Sequence, residues 1–272
     1  MTIADLPLGL RLSAQAGWNQ TESDWRRFLD LEPKGCFVAE RDAAPVGTTT
    51  TCVFGPVAWI AMVLVDVNAR RKGVGSALLK HALDVLERQA VRTVRLDATA
   101  AGQRVYEKLG FVSEYALTRY AGRPRYMEMQ GSVAEATAEM AADLVEFDRR
   151  MTGTPRAKML ARLFEESPES VRVLYRGGEV AGFVTMRCGA NAIQIGPCMA
   201  TPETGPTLLG HILDRCAGRS VFIDVPRDNA RAVKLVESSG LRGQRDFMRM
   251  YRGEPVNDHV DALWASSGPE KG

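Results

Sequence analysis

The chain has 272 residues, a net charge of +2 at neutral pH, 45% hydrophobic residues and 25% charged residues. This is an ordinary composition for a globular protein with one large domain or two modest ones. The 35 Lys and Arg residues are spread along the sequence, which predicts affinity for neither nucleic acid nor membranes. Met1–Asp5 lacks the features of a signal peptide, and no apolar run reaches membrane-spanning length.

Cysteine and histidine usage narrows the function classes further. The five cysteines include no Cys-x-x-Cys pair, so we expect reduced thiols and a cytoplasmic protein. The three histidines are scattered, and we expect no metal site.

In chain order, the sequence predicts helices, a strand pair, a long strand, a helix, a strand, a helix and a final strand. The long strand is the apolar run Trp59–Val67, and Ser76 to about Gln89 has helical periodicity. A strand over Val91–Asp97 follows. The last strand of the first 130 residues is expected at Tyr126–Met129.

A cationic loop that contains two glycines joins the long strand to its helix: Arg70-Arg71-Lys72-Gly73-Val74-Gly75-Ser76. A helix N-terminus presents free backbone N–H groups and partial positive charge. Gly73 and Gly75 permit unusual backbone angles and close approach, and the three cations supply countercharge. The loop therefore predicts a phosphate-binding site. The alternative is an ordinary strand-to-helix turn with a solvated basic face.

Two other kinds of phosphate-binding loop do not fit this segment. A Walker loop needs Gly-Lys-Ser/Thr after four spacer residues, and that pattern is absent. A dinucleotide fingerprint needs its first glycine at the strand end. Here Asn68–Lys72 intervene and Leu78 holds the third glycine position, although Asp97 lies near the place of the ribose-binding acid.

The segment Arg70–Gly75 resembles the pyrophosphate loop of the GNAT superfamily of N-acyltransferases, whose pattern is Arg/Gln-x-x-Gly-x-Gly/Ala. Tyr106–Phe111 is similar to the family's Tyr-x-x-x-Gly-Phe element. Ala16–Thr21 is similar to bacterial members that carry two such domains in tandem. The resemblance covers most of residues 1–130. It implies an α/β (α+β) fold in which each domain has a mixed, mostly antiparallel sheet, flanked by helices, with a splayed central strand pair.

The chain also repeats itself, and the repeat sets the predicted domain count. Leu78–Asp84 aligns with Leu208–Asp214 at an offset of 130 (208 − 78), and this frame holds without a gap from Gly75 to Phe111. Upstream, the offset is 135, because Gly47 aligns with Gly182 (182 − 47). Two tandem GNAT-like domains are therefore expected.

The boundary between the predicted domains lies near Gln130–Ser132. We expect a catalytic, coenzyme-binding domain at 1–130 and a GNAT-like domain with a degenerate coenzyme site at 131–253. At offset 130, Ala200–Glu203 replaces the cationic loop and Val236 replaces Tyr106. A polar tail, 254–272, is expected to fray at its end, although three of its residues could dock it: Val260, Leu263 and Trp264.

The resemblance implies that acetyl-CoA, as co-substrate, gives its acetyl group to a primary amine by direct attack in a ternary complex. Tyr106 maps onto the family's general acid, which protonates the leaving thiolate. Thr99 stands where relatives often have a coenzyme-binding Asn, and a hydroxyl replaces only part of an amide's hydrogen bonding. The other expected coenzyme contacts, mostly through backbone groups that can also polarise the thioester, are Val63, Val65, Val67, Arg70, Arg71, Lys72, Gly73, Val74, Gly75 and Ser76.

The general base that would deprotonate the amine is less defined. Many relatives place a Glu on the strand before the loop, but Val57–Val65 contains no carboxylate. Asp97 is the first candidate, with a helix cap or turn as its alternative role. Asp24, Glu40 and a water relay are further candidates. Three aromatic residues could line the acceptor pocket or belong to the core: Trp18, Trp25 and Trp59.

The expected function is therefore an acetyl-CoA-dependent N-acetyltransferase with a small-molecule amine acceptor and no metal. The alternative is a catalytically silent acyl-CoA-binding sensor or scaffold protein. The sequence leaves open the identity of the amine, the length of the acyl chain and formation of a homodimer.

Overall fold

The computed structural model describes residues 1–128 and 131–270. The helices are α1 (Leu6–Gln15), α2 (Glu22–Leu31), α3 (Val74–Arg88), α4 (Ala100–Glu107), α5 (Ala141–Thr152), α6 (Ala157–Glu166), α7 (Gly205–Arg215) and α8 (Ala230–Ser238). The strands are β1 (Cys36–Arg41), β2 (Ala44–Phe54), β3 (Val57–Val65), β4 (Thr93–Thr99), β5 (Val112–Gly122), β6 (Ala134–Glu135), β7 (Arg172–Arg176), β8 (Glu179–Arg187), β9 (Ile193–Ala200), β10 (Val221–Pro226), β11 (Arg242–Gly253) and β12 (Leu263–Ala265).

The chain folds into two compact units that do not follow the predicted boundary at residue 130. Unit 1 comprises Met1–Ser113, Gly189–Asn191 and Met250–Pro255. Unit 2 comprises Glu114–Cys188, Ala192–Arg249 and Val256–Gly272. Most of β5, the last strand of the first repeat, therefore belongs to unit 2, and the end of β11 belongs to unit 1.

The sheet of unit 1 has the order β1-β2-β3-β4, with the end of β11 beside β4. β1, β2 and β3 are antiparallel, whereas β3 and β4 run parallel. The backbone N–H of Glu254 donates to the carbonyl of Arg92, and the Thr93 hydroxyl donates to the carbonyl of Glu254 at 2.7 Å. The last residues of the second repeat thus complete the sheet of the first.

Unit 2 is built around the order β11-β5-β10-β9-β8-β7-β6, and β12 pairs with β9. β9 and β10 run parallel over Ile193–Ile195 and Val221–Ile223, and β5 is antiparallel to β10. β8 is antiparallel to β9. The mixed, mostly antiparallel sheet that the sequence predicted is therefore present in both repeats.

The apolar faces of the helices pack against each sheet. In unit 1, leucines of α1 and Trp25 of α2 pack with Met62 and Leu64 of β3, and α3 buries five residues at helical spacing: Leu78, Leu79, Ala82, Leu83 and Leu86. In unit 2, Leu208 and Leu209 of α7 are fully buried in the hydrophobic core.

Several element boundaries differ from the sequence prediction. The long strand ends at Val65 rather than Val67, because the Asp66 carboxylate accepts the Asn68 N–H and starts a 3₁₀ turn. The strand predicted from Tyr126 is wrong, since residues 126–128 form none and Met129 lies outside the described residues. The first repeat instead ends its strands with β5.

The polar tail, which was expected to fray at its end, is packed into the fold as far as the structure describes it. Leu263–Ala265 form β12, and Trp264 is fully buried. Ser266, Ser267 and Glu270 are buried as well. The docking predicted for Leu263 and Trp264 is confirmed, and only residues 271–272 lie outside the description.

Candidate active site

β3 carries a bulge shortly before its end. Thr48 of β2 pairs with Leu64, and Thr50 pairs with Ala61, so the one residue between the threonines faces two residues of β3, Met62 and Val63. Met62 has φ 51°, which is unusual for a residue other than glycine. The Thr48 hydroxyl donates to the Met62 carbonyl at 3.0 Å. The bulge changes the direction of the strand before it reaches the loop.

The end of β3 also separates from β4. The two strands are paired from Val57 to Trp59, opposite Thr93–Arg95, and the ladder goes no further. Val65 pairs with Gly47 of β2 on the other side. Among the described residues, no strand pairs with residues 60–65 on the β4 side. The predicted splayed strand pair is therefore present, and its open edge offers backbone groups to an extended ligand.

Asp66 fixes the turn that follows β3. Its carboxylate accepts the Asn68 backbone N–H at 3.0 Å, pairs with the Arg11 guanidinium and accepts from the Gln15 amide at 3.4 Å. The N–H of Asn68 and then the Arg11 guanidinium hold the pKa of this carboxyl below its ordinary value. The sequence gives no sign of this cluster of Arg11, Gln15 and Asp66, because Asp66 lies 51 and 55 positions from its two partners.

The cationic loop folds back on the end of β3. Arg70 donates from Nε to the Val65 carbonyl at 3.1 Å, and Lys72 donates from Nζ to the Asn68 carbonyl at 2.9 Å. Arg71 has φ 61° and Gly73 has φ 80°, so both adopt left-handed backbone geometry. The three cationic side chains are exposed at the surface.

The N-terminus of α3 is open. Gly73 is its N-cap residue and gives it no side-chain acceptor, and an added Cβ at Gly73 would meet no heavy atom of the described residues within 4 Å. An added Cβ at Gly75 would touch Val65 at an ordinary 3.6 Å and no other side chain of the part of the chain that the structure describes. Free N–H groups, the helix dipole and exposed cations together suit an anion. The residues present therefore fit a pyrophosphate group at this helix end.

The predicted acid lies on α4. Tyr106 is partly buried, and its ring meets that of Phe111 edge to face at a centroid distance of 5.9 Å. Burial raises the pKa of Tyr106 to about 12, so the phenol keeps its proton at physiological pH. Thr99 is the N-cap residue of α4, but its hydroxyl makes no capping hydrogen bond. Asp97 is partly buried on β4, two residues before Thr99.

Some of the other candidates have structural roles. Asp24 closes a capping box with Thr21 at the start of α2, and its carboxylate pairs with Arg27 at 2.8 Å in the buried interior. Trp25 and Trp59 are core residues, with Trp25 donating from Nε1 to the Ser13 hydroxyl at 3.2 Å. Glu40 is exposed on β1.

The corresponding place in unit 2 is built differently. Gly182 pairs with Ala200, as Gly47 pairs with Val65, so the strand ends correspond at offset 135. Only residues 201–203 then separate Ala200 from the N-cap Thr204, whereas 66–72 separate Val65 from Gly73. The offset-130 alignment of Ala200–Glu203 with the cationic loop is therefore wrong. Most of the loop is deleted in the second repeat rather than substituted.

Two features that would suggest other functions are absent from residues 1–128 and 131–270. No helix there is long and apolar enough to cross a membrane. The same residues hold no cluster of three or more His, Cys, Asp or Glu side chains that could bind a metal ion.

Comparison with known proteins identifies both repeats. The acetyltransferase (GNAT) family model matches residues 10–111, and an acetyltransferase (GNAT) domain model matches residues 144–265. The chain is 25% identical over 259 residues to a protein named holothin acyltransferase, from Pseudoalteromonas sp. (strain SANK 73390). That match spans 94% of this chain and 87% of the relative.

Solved structures agree on the fold. A putative acetyltransferase from Pyrococcus horikoshii superposes with a TM-score of 0.85 at 24% identity, over 100% of this chain and 94% of the other. A tandem GNAT protein from the clavulanic acid biosynthesis pathway gives a TM-score of 0.62 at 17% identity, over 94% and 96% of the two chains.

Proposed function

Because the chain is a tandem-domain GNAT acetyltransferase, and thus an acyltransferase, we propose that unit 1 moves an acetyl group from acetyl-CoA to a primary amine by direct attack in a ternary complex. The observation that carries this proposal is the open N-terminus of α3, flanked by exposed cations and placed directly after the unpaired edge of β3.

The coenzyme is proposed to bind in two parts. Its pyrophosphate accepts hydrogen bonds from the backbone N–H groups of Gly73–Ser76, with countercharge from Arg70, Arg71 and Lys72. Its pantetheine arm lies along the edge of β3, where the backbone groups of Val63 and Val65, and of Val67 beyond the strand, replace the missing β4 ladder. Thr99 is proposed to touch the coenzyme as well, since its hydroxyl makes no capping bond.

Tyr106 is proposed to stabilise the leaving thiolate. A phenolate whose conjugate acid has a pKa of about 12 is more basic than an alkyl thiolate, whose pKa is about 8.5 in water. Complete proton transfer from phenol to thiolate is therefore unfavourable unless the site also raises the thiol's pKa. The phenol acts first as a charge-assisted hydrogen-bond donor to the developing thiolate. It transfers its proton only to the extent that desolvation of the sulfur raises the pKa of the thiol.

The acceptor must lose a proton, because an alkyl ammonium with a pKa of about 10.4 is not a nucleophile at neutral pH. Asp97 is proposed as the base, directly or through water. The acceptor is proposed to be a small molecule, since a relative that shares most of its length with this chain is named for action on holothin.

The deciding experiment is a thiol-release assay with acetyl-CoA over a panel of amines: amino acids, polyamines, aminoglycosides, small heteroaromatic amines and N-terminal peptides. Amine-dependent release of coenzyme A, with a mass increase of one acetyl group on the amine, is expected. Saturable binding of acetyl-CoA without turnover on any amine would instead favour the sensor or scaffold alternative. Absence of binding would contradict the site itself.

A further inference from the structure

The cleft of unit 2 that corresponds to the proposed coenzyme cleft is filled by the chain's own C-terminal segment. β9 and β10 separate after Ile195 and Ile223, as β3 and β4 separate after Trp59 and Arg95. β12 pairs with the open edge of β9, with Leu263 opposite Met199 and Ala265 opposite Cys198. The next residue, Ser266, donates its N–H to the carbonyl of Asp224 on β10. The segment therefore bridges both strands of the opening.

Trp264 covers the start of α7. Its indole Nε1 donates to the Ala200 carbonyl at 3.2 Å, at the end of β9. An added Cβ at Gly205, the first residue of α7, would overlap the indole ring, and the Arg231 guanidinium lies 5.9 Å from the ring centroid. Gly205 is the sequence equivalent of Gly75, around which the space in unit 1 is open. A side chain of this protein thus occupies the place that unit 1 leaves free.

Asn229 recognises the same segment. It aligns with Thr99 at offset 130 (229 − 99), and its side-chain amide donates to the carbonyls of Asp261 and Leu263 at 3.2 and 3.1 Å. Its amide oxygen caps α8 by accepting the Ala232 N–H at 3.1 Å. The N-cap residue of α8 therefore holds both its own helix and the docked tail.

Arginines bind the chain beyond β12. Arg156, itself paired with Asp148, donates to the Ser267 hydroxyl at 3.4 Å. Arg187 donates to the Ser267 carbonyl at 3.0 Å and pairs with Glu270. The segment is thus held at specific main-chain and side-chain atoms on both sides of Trp264.

We propose that residues 261–270 are an intramolecular ligand of the second GNAT cleft and permanently replace a coenzyme there. Trp264 and the β12 backbone fill the opening between β9 and β10. Residues 201–203 carry no cation, and the charge of Glu203 opposes a pyrophosphate there, although Arg176 and Arg231 partly offset that charge. We therefore expect that acetyl-CoA does not displace the segment. The analogy with unit 1 rests on the proposed function, but the occupancy of the unit 2 cleft does not.

Hydrogen–deuterium exchange of the full-length protein, read by mass spectrometry, tests this proposal. In the wild type, the peptide covering 261–268 should exchange as slowly as the β9 peptide, 193–200. Gly205→Ala, which places a methyl group in the indole's position, should raise its exchange rate at least tenfold. Asn229→Asp should do so by about tenfold, because it keeps the α8 cap but removes both hydrogen bonds to the tail. Ser238→Ala, an exposed change on α8, is the matched control.

Acetyl-CoA is then added at saturating concentration. The 261–268 peptide should keep its slow exchange, while a peptide covering 66–76 gains protection. Faster exchange of 261–268 on addition, rapid exchange in the free wild type, or slow exchange in both variants would each overturn the proposal. Protection at 66–76 reports on the coenzyme site of unit 1 separately. Its absence would contradict the proposed function and leave the result for the tail intact.

Discussion

The two repeats share a register up to the end of one strand and diverge in the next few residues. Val65 and Ala200 both pair with a glycine of the preceding strand, Gly47 and Gly182. After Val65, the chain builds a long cationic loop and an uncovered helix N-terminus. After Ala200, the loop is short, and Trp264 covers the helix N-terminus.

Both sheets have the same opening between two strands, but they differ in what lies in it. Unpaired backbone groups at such an edge must be satisfied. Unit 2 satisfies them with β12, whereas unit 1 leaves them to solvent or to a ligand. By our proposals, the same fold therefore holds a cleft filled by its own chain in one copy and an enzyme active site in the other.

The largest effect is expected from Tyr106→Phe, which tests whether the chemistry resides in unit 1. The kcat should fall by about 10²- to 10⁴-fold, because the leaving thiolate loses its hydrogen-bond donor. Coenzyme affinity, measured by calorimetry, should change much less. Tyr126→Phe is the control, since that ring is 75% exposed. An unchanged kcat with chemistry as the limiting step would remove Tyr106 from the mechanism.

Gly73→Glu should weaken acetyl-CoA binding at least tenfold, because it forces a side chain into a left-handed position and adds negative charge to the cradle. Gly177→Glu is the matched control. Gly177 also has positive φ, 62°, no heavy atom of residues 1–128 or 131–270 lies within 4 Å of an added Cβ there, and it lies in the turn between β7 and β8.

Titration of the same proteins tests the contrast between the units directly. The wild type and Gly177→Glu should saturate at about one equivalent of acetyl-CoA per chain, and Gly73→Glu should stay close to none. Two equivalents, or one equivalent that survives in Gly73→Glu, would place a working coenzyme site in unit 2.

A smaller effect is expected from Arg71→Gln. The side chain is exposed, so the loss of its charge should raise the dissociation constant for acetyl-CoA by only about fivefold at low salt. Arg88→Gln, at the other end of α3, should have no effect. The Arg71 effect should shrink as ionic strength rises, and an effect that is independent of salt would contradict a role in countercharge.

The least change is expected in the pH profile. The raised pKa of Tyr106, about 12, means that the phenol stays protonated throughout the range from pH 6 to 9 and loses its proton only well above it. Tyr106→Phe should therefore lower kcat by the same factor at every pH in this range, as initial rates with saturating substrates would measure. A basic limb that disappears in the variant would show that the phenol titrates near neutrality.

The elements near the loop were predictable because their signals are local. The apolar run Trp59–Val67, the helical periodicity after it and the glycines at 73 and 75 predicted β3, α3 and the open helix N-terminus to within two residues. The repeat frame at Gly75 and Leu78 likewise predicted a second copy of the fold, which the family comparison confirms.

The features that the sequence did not predict depend on contacts between residues that are distant in sequence. Nothing around Trp264 indicates that it pairs with the chain at Ala200, and a polar tail with a proline is typical of a frayed end. The bulge at Met62 is equally hidden, since a methionine gives no sign of positive φ. The deletion after Ala200 does not show in an alignment at the helix offset of 130, because that offset applies only beyond the loop.

The exchange of strand ends between the two repeats constrains how the protein can fold during synthesis. The strand beside β4 comes from residues 250–253, which leave the ribosome about 150 residues after β4 itself (250 − 99 = 151). Unit 1 therefore cannot complete its sheet during synthesis of its own repeat. The edge of β4 stays exposed until nearly the whole chain has been synthesised. Expression of residues 1–130 alone should yield an aggregation-prone fragment rather than a small enzyme.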